Sequence, residues 1–112
     1  MALVMHFVCS RCRFDVEAWE IGRPYFVDEN GQKEYIPHPT PIPLELRPRV
    51  RLEGDFLCLG CAKVLRRDQG DTSPCPRCRG IDVLEATELE GKTCPRCHQG
   101  VFAEDISRTV IT

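Results

Sequence analysis

The sequence lacks long apolar runs, and aromatic residues make up only 7% of its 112 residues. No stretch approaches the roughly 20 consecutive apolar residues that a membrane-spanning helix needs. Helical periodicity is also missing from every longer segment, which excludes a coiled coil. With 42% hydrophobic and 29% charged residues, the chain is nevertheless too apolar to be a disordered tail. These absences predict a small, mainly β domain that makes no membrane contact.

Groups that would carry catalysis are scarce as well. The three histidines are His6, His38 and His98, and there is no Ser/His/Asp set, phosphate-binding glycine loop or nucleotide fingerprint. A catalytic zinc ion keeps an open coordination position beside histidine or carboxylate ligands. His98 directly follows a cysteine, and we expect it beside a metal centre or at the surface rather than among the ligands. We therefore expect no enzyme activity and no small-molecule substrate.

Cysteine, in contrast, is abundant and evenly spaced. The eight cysteines fall into four C-x2-C knuckles, numbered here in chain order: Cys9 and Cys12, Cys58 and Cys61, Cys75 and Cys78, and Cys94 and Cys97. Two intervening residues allow both sulfur atoms of a knuckle to face one point. Four thiolates complete the tetrahedral shell of a structural zinc ion. The four knuckles therefore predict two structural zinc ions, with all eight cysteines as ligands.

The redox compartment decides between metal ligands and disulfides. The stretch from Met1 to Cys9 lacks a basic start and is too short for a secretory signal. We therefore expect a cytoplasmic location, where thiols stay reduced and bind metal. Disulfides and a thiol redox site are the less favoured interpretations.

Knuckles 2 and 3 follow a familiar pattern. An apolar run, Phe56-Leu57, leads into Cys58, and Cys75-Pro76-Arg77-Cys78 follows after 13 residues between the inner cysteines. Residues 56–80 thereby resemble the zinc-ribbon and rubredoxin-like families. The resemblance implies a small, mainly β, metal-stabilised fold with at most one short helix. It also implies that each knuckle lies at the tip of a β-hairpin and that two hairpins clamp one metal ion.

The same resemblance implies a nested pairing of the knuckles. If knuckles 2 and 3 share one metal ion, knuckles 1 and 4 share the other. A sequential pairing (1 with 2, and 3 with 4) and an interleaved cross-brace stay open. In rubredoxin-like sites a glycine usually follows the second cysteine, whereas this chain has Arg13, Ala62, Arg79 and His98 there. Zinc is therefore preferred, and an iron electron-transfer centre is the alternative.

The segment between knuckles 1 and 2 needs its own structure. Residues 24–36 contain two strand-forming runs around Asn30-Gly31, which predicts a β-hairpin. Its aromatic residues Tyr25 and Tyr35 are expected to cover a small sheet, with a ligand platform as the alternative. Residues 37–43 have a proline at every second position, which predicts an extended, rigid connector.

Positive charge is concentrated in the middle of the chain. Residues 46–79 carry 8 basic and 4 acidic side chains, although the whole chain has a net charge of −2. The alternation in Arg47-Pro48-Arg49-Val50-Arg51 predicts an edge strand with three guanidinium groups on one face. Together with Arg66 and Arg67, these arginines are the candidate contacts for nucleic acid.

The last third of the sequence predicts short elements only. Residues 81–84 are a strand candidate, residues 85–91 form one helical turn or a wide loop, and residues 101–112 supply a final strand. We divide the chain at residue 55, into an N-terminal part (1–55) and a zinc-ribbon part (56–112) of one compact unit. The sequence thus favours a zinc-stabilised adaptor that presents β-hairpins to a protein partner. Nucleic-acid binding is the first alternative.

Overall fold

The apolar runs that lead into knuckles 1 and 2 form the longest strands. The computed structural model describes residues 3–37 and 41–111. Its strands are β1 (Leu3–Cys9), β2 (Asp15–Trp19), β3 (Arg23–Val27), β4 (Lys33–Tyr35), β5 (Arg51–Cys58), β6 (Val64–Asp68), β7 (Val83–Glu85), β8 (Phe102–Glu104) and β9 (Val110–Ile111). The helical segments within these residues are three 3-10 turns, at Arg47–Arg49, Ala86–Glu88 and Ile106–Arg108. The predicted small, mainly β fold is confirmed.

The strands form two antiparallel sheets, each built around one long strand. In the first sheet, β1 pairs with β2 on one edge and with β8 and β9 on the other. In the second sheet, β5 pairs with β6 on one edge and with β7 and β3 on the other, and β4 adds to β3. The two long strands therefore have the same arrangement of neighbours.

The strand registers match as well, which makes the two sheets copies of one unit. Residues of β1 and β5 are equivalent when they lie the same number of positions before Cys9 and Cys58. On this basis the pair Phe7–Val16 corresponds to Phe56–Leu65, and the pair Cys9–Phe102 corresponds to Cys58–Val83. The pair Val4–Val110 corresponds to Glu53–Arg23. We call the two copies ribbon 1 (residues 3–19 and 92–111) and ribbon 2 (residues 23–27 and 51–89). Ribbon 2 lies in the sequence between the two parts of ribbon 1.

One apolar core joins the two ribbons. Ribbon 2 contributes Leu57, Ala86 and Leu89, all with no exposed surface. Ribbon 1 contributes Phe7, Cys9, Val16, Ala18, Cys94 and Phe102. The core therefore lies against the cysteines of knuckles 1 and 4.

The second sheet buries two acidic residues, and one of them, Glu53, stands where the first sheet has the apolar Val4. Glu53 and Asp55 of β5 are 2% and 7% exposed. Each has a basic partner, because Lys33 Nζ lies 2.7 Å from Glu53 and an Arg23 guanidinium nitrogen lies 2.7 Å from Asp55. A buried carboxylate is stable only when it is paired or hydrogen-bonded, and these partners offset the charge that β5 buries.

The predicted hairpin at residues 24–36 is confirmed as β3 and β4. Its loop is longer than the two-residue Asn-Gly turn, since Asp28 N–H donates to the Gln32 carbonyl. Gly31 has a φ of 79°, as a residue in the left-handed region does. Of the proline-rich connector, residues 38–40 lie outside the described residues.

The arginine segment is not a strand, and that prediction is wrong. Arg47–Arg49 form a 3-10 turn, and β5 begins only at Arg51. Pro48 stands in the first turn of this segment, where its fixed φ fits a 3-10 conformation and its missing N–H is not needed. The three guanidinium groups therefore do not share a strand face.

The last third of the chain matches the prediction in part. Residues 81–84 hold the start of β7, and Ala86–Glu88 is the predicted single turn. The final strand expected within residues 101–112 is present as two short strands, β8 and β9, with a 3-10 turn between them. Both short strands pair with β1, since a break at Ile106–Arg108 lets the chain continue along the same edge. The proposed division at residue 55 falls within β5.

Candidate metal centres

The four knuckles have one backbone conformation. In each, the N–H of the residue after the second cysteine donates to the carbonyl of the first cysteine, at 2.8 to 3.2 Å. The donors are Arg13, Ala62, Arg79 and His98, and all four have a φ between 60° and 67°. This left-handed turn brings the two cysteines of a knuckle to the same side. Glycine adopts this left-handed conformation without strain, whereas these four residues carry a side chain that makes it costly.

The thiols gather into two groups of four. Within the described residues, the Sγ atoms of Cys9, Cys12, Cys94 and Cys97 (tetrad 1) lie within 4.8 Å of one another, and so do those of Cys58, Cys61, Cys75 and Cys78 (tetrad 2). All eight cysteines are free thiols. The pairing is therefore nested, and the sequential and cross-brace alternatives are wrong.

The closest sulfur contacts follow one rule in both tetrads. The first cysteine of one knuckle approaches the second cysteine of the other. The Sγ distances are 3.6 Å for Cys9–Cys97, 3.7 Å for Cys12–Cys94, 3.5 Å for Cys58–Cys78 and 3.7 Å for Cys61–Cys75. The two tetrads thus repeat the equivalence of the ribbons down to the side chains.

Burial also follows the order within each knuckle. The first cysteine of every knuckle is buried, namely Cys9, Cys58, Cys75 and Cys94. The second cysteine is half-buried or exposed, and Cys12 and Cys78 are the exposed pair. Each tetrad therefore lies at the surface with one pair of sulfur atoms turned inward.

Backbone N–H groups aim at several sulfur atoms and favour their thiolate form. Hydrogen bonds from the N–H groups of Cys78 and Arg77 lower the pKa of Cys75 to about 6. In tetrad 1, the N–H groups of Gln99 and Gly100 likewise lower the pKa of Cys97 to about 6. The thiolate is the form that binds a metal ion. Each tetrad therefore has at least one thiol whose pKa favours the thiolate at neutral pH.

Other thiols resist ionisation. Burial raises the pKa of Cys61 and of Cys94 to about 11, and neighbouring thiols add to the effect. These groups lose their protons only when a cation compensates the charge. The donor set therefore suits a divalent metal ion that binds thiolates.

Gly100 is a site residue that the sequence analysis missed. A Cβ atom at this position would lie 2.4 Å from Cys9 Sγ and 2.9 Å from the Arg11 backbone nitrogen. Only glycine lets knuckles 1 and 4 approach this closely. The sequence gives no signal that singles out Gly100 from the other glycines, of which the chain has 8 in total.

The candidate nucleic-acid arginines point to separate intramolecular partners. Arg47 and Arg49 donate to the backbone carbonyls of Ile42 and Val27. Arg51 pairs with Asp68 at 3.3 Å, and Arg66 lies 3.7 Å from Asp55. Arg67 lies over the Phe56 ring and donates to the Ser73 carbonyl. The structure does not bring these five side chains together into one basic surface.

The described histidines lie outside both tetrads. His6 Nδ1 lies 3.1 Å from Asp15 Oδ1. The other carboxylate oxygen of Asp15, Oδ2, accepts a hydrogen bond from Arg108. His98 is exposed, and its backbone completes knuckle 4. His38 lies outside the described residues.

No helix among the described residues is long and apolar enough to cross a membrane. A scan against protein-family models and searches of curated proteins and of solved structures found no match for this chain. The two groups of four C-x2-C cysteines are compatible with zinc-knuckle and zinc-ribbon sites.

Proposed function

We propose that each tetrad binds one structural zinc ion and that the chain works as a zinc-stabilised adaptor. The observation that carries the zinc proposal is the sulfur geometry. A tetrahedral zinc ion with Zn–S bonds of about 2.3 Å has S···S edges of about 3.8 Å. The closest sulfur pairs lie at 3.5 to 3.7 Å, so the four thiols of each tetrad fit such an ion.

Zinc in these positions acts as a structural cross-link. Zinc supplies no redox chemistry, and four thiolates leave no open position for a water molecule or a substrate. Binding to a site that forms only in the folded chain adds directly to the folding free energy. The protein is therefore proposed to be non-enzymatic, with both metal ions serving its stability.

Metal analysis of protein purified without added metal tests this proposal. We expect two zinc ions per chain, with eight thiols titrating after chelation and few before. The Cys97→Ser and Cys78→Ser variants serve as controls, because each leaves one tetrad intact and should keep one zinc ion. A red protein that contains iron would replace the zinc proposal with electron transfer, and a metal-free, thiol-free protein would reject both.

The adaptor role is supported by large apolar side chains at the surface. Ile81 is 87% exposed and Ile106 is 77% exposed. Ile81 follows knuckle 3, and Ile106 begins the turn after β8. A bulky aliphatic side chain that projects from a turn is a suitable anchor for a protein partner.

Variants at these positions test the adaptor role. We expect a partner that co-purifies with the wild-type chain to be lost from the Ile81→Ser, Ile106→Ser double variant. The Val64→Ser variant is the matched control, because Val64 is also exposed but lies on β6. A partner that stays bound to the double variant contradicts this surface.

A second candidate function is nucleic-acid binding through the knuckles themselves. The four knuckle segments, residues 9–14, 58–63, 74–80 and 92–100, contain seven lysine and arginine residues and no acidic residue. Each zinc tetrathiolate carries a charge of roughly −2, which these cations exceed in total. Phosphate contacts would give an affinity that falls steeply with salt concentration.

One double variant and one triple variant separate the basic residues of the knuckles from those of the arginine segment. We expect Arg77→Ala with Arg79→Ala to reduce the salt dependence of binding to single-stranded DNA. The change of Arg47, Arg49 and Arg51 to alanine should leave it nearly unchanged, because those side chains have intramolecular partners. An absence of binding at low salt rejects this function.

A further inference from the structure

One face of β3, β4 and β5 holds an ammonium group against two tyrosines and a carboxylate. Lys33 of β4 extends across β3, so that its Nζ lies 4.6 Å from the centre of the Tyr25 ring. The same Nζ lies 2.7 Å from Glu53 Oε2. Both contacts are favourable for any alkylammonium ion, through cation–π attraction and a charge-assisted hydrogen bond.

The groups around this ammonium are held in place by further contacts. The Tyr35 hydroxyl donates to the Glu53 carboxylate at 3.0 Å. The Tyr25 and Tyr35 rings are tilted by 51° with their centres 6.1 Å apart. Glu53 is 2% exposed, so its charge is withdrawn from water and needs a cation beside it.

A second carboxylate increases the demand for positive charge. Asp68 of β6 stands directly opposite Glu53 across the strands, which places two acidic residues side by side. Like charges in such a pair destabilise a sheet unless cations offset them. Asp68 accepts a hydrogen bond from the Tyr25 hydroxyl and pairs with Arg51. The face therefore presents two carboxylates and two tyrosines to whatever cation lies over it.

Lys33 reaches this position from the edge of the sheet. It lies on a three-residue edge strand whose residues are all exposed, and its own side chain is 45% exposed. The hydrogen bond to Glu53 raises the pKa of Lys33, so the group stays cationic at neutral pH. An edge-strand side chain can leave without breaking the core, because β4 contributes no buried residue.

We propose that Tyr25, Tyr35 and Glu53 form a binding site for an alkylammonium group, which Lys33 fills when no ligand is present. A ligand of this class, either a lysine side chain of a partner protein or a free polyamine, displaces Lys33 and makes the same contacts. The site involves no cysteine and does not depend on the identity of the metal ion.

Removal of the internal occupant tests the proposal on the full, metal-loaded chain. The Lys33→Ala variant is titrated with n-butylammonium chloride while the Tyr25 and Tyr35 ring signals are followed by NMR. We expect saturable shifts, with a Kd at least tenfold lower than for the wild-type chain. Lys33→Thr is the second variant, because threonine favours strands and keeps β4 if alanine does not.

Matched controls define the outcome that overturns the proposal. Lys63→Ala, which removes a lysine next to knuckle 2, should bind butylammonium as weakly as the wild-type chain. Addition of Glu53→Gln to Lys33→Ala should abolish binding, and n-butanol should cause no saturable shift. Shifts that are linear in ligand, or that survive Glu53→Gln, contradict an alkylammonium site.

Two further ligands identify the source of the ammonium group. Tighter binding of a lysine-containing peptide than of spermidine by the wild-type chain assigns the site to a partner protein. The reverse order assigns it to free polyamines. Failure of both to displace Lys33 at millimolar concentration overturns the proposed exchange.

Discussion

Tetrads 1 and 2 have the same knuckle turns and the same pattern of sulfur contacts, but they close very different lengths of chain. The cysteines that touch in tetrad 1 are 82 and 88 residues apart in sequence, whereas those in tetrad 2 are 14 and 20 residues apart. Tetrad 2 is a local cross-link that can form once its own hairpins have formed. Tetrad 1 forms only when both parts of ribbon 1 meet around ribbon 2.

The surroundings of the tetrads differ in the same direction. Two thiols of tetrad 1, Cys9 and Cys94, belong to the shared apolar core beside Phe102. The thiols of tetrad 2 are not among the residues of that core, and the same β5 strand that ends at Cys58 carries the buried carboxylates of the second sheet. The same four-cysteine unit thus joins distant parts of the chain in tetrad 1 and closes a local segment in tetrad 2.

Loss of one ligand from each tetrad should show the largest difference. Cys97→Ser and Cys78→Ser change equivalent positions, and each should lose one zinc ion. By loop-closure entropy, a fivefold longer loop makes tetrad 1 more stabilising by about 1.4 kcal/mol. We therefore expect Cys97→Ser to lower the free energy of unfolding more than Cys78→Ser, in urea titrations at one fixed zinc concentration. Equal losses would show that β1, β8 and the core close the chain without the metal ion.

Glycine substitutions should separate the tetrads without removing a ligand. Gly100→Ala places a Cβ atom 2.4 Å from Cys9 Sγ, whereas Gly60→Ala places one at an ordinary 3.6 Å from two thiols of tetrad 2. We expect Gly100→Ala to weaken zinc binding at tetrad 1 at least tenfold and Gly60→Ala to change it little. Competition with a chromophoric chelator measures both. A Gly100→Ala protein that keeps two tightly bound zinc ions would mean that knuckle 4 shifts at low cost.

The fold class and the nested closure could be predicted from the sequence, but the structural repeat of the two ribbons could not. Both closing knuckles read Cys-Pro-Arg-Cys, and a phenylalanine stands two residues before Cys9 and before Cys58. Beyond these positions the two ribbons diverge, since Val4 is equivalent to the buried Glu53. Hydrogen-bond register needs no particular side chain, so a repeat can persist in the backbone after it has faded from the sequence.

The arginine segment shows a different limit of sequence analysis. Alternation of arginine with proline and valine suggested a strand, but three alternating residues are too few to fix a local conformation. Local backbone hydrogen bonds decide it instead, since the Arg49 N–H donates to Leu46 and the Val50 N–H donates to Arg47. The role of Gly100 could not be predicted from the sequence either, because it depends on a contact with Cys9, which is distant in sequence.

Acidification should affect the two tetrads alike. In the metal-free protein the pKa of Cys75 and that of Cys97 are both about 6, so each tetrad has at least one thiolate above this pH. Below pH 6 zinc must displace one further proton per tetrad, and the apparent affinity should fall more steeply with decreasing pH. Zinc binding measured from pH 5 to pH 8 should show this bend in both Cys97→Ser and Cys78→Ser, which keep tetrad 2 and tetrad 1 respectively. A bend in only one variant would break the equivalence of the tetrads.

The smallest expected effect concerns the left-handed turn that all four knuckles share. Ala62 has a φ of 67°, and a non-glycine residue in this region carries a strain of about 1 kcal/mol. Ala62→Gly should therefore raise the free energy of unfolding by about 0.5–1 kcal/mol, because glycine adopts this conformation freely. Ala103→Gly on β8 is the matched control and should lower it by a similar amount, since glycine weakens an extended strand.

Arg13 extends this comparison to ribbon 1. It holds the equivalent position, with a φ of 67°, so Arg13→Gly should also be stabilising if the knuckles are equivalent in energy as well as in shape. Thermal unfolding of the zinc-loaded variants measures all three changes. A gain at Ala62 with a loss at Arg13 would mean that the arginine side chain stabilises tetrad 1 by more than its backbone strain. The cations around the knuckles would then have a structural role beside the thiolates, which would weaken the case that they bind nucleic acid.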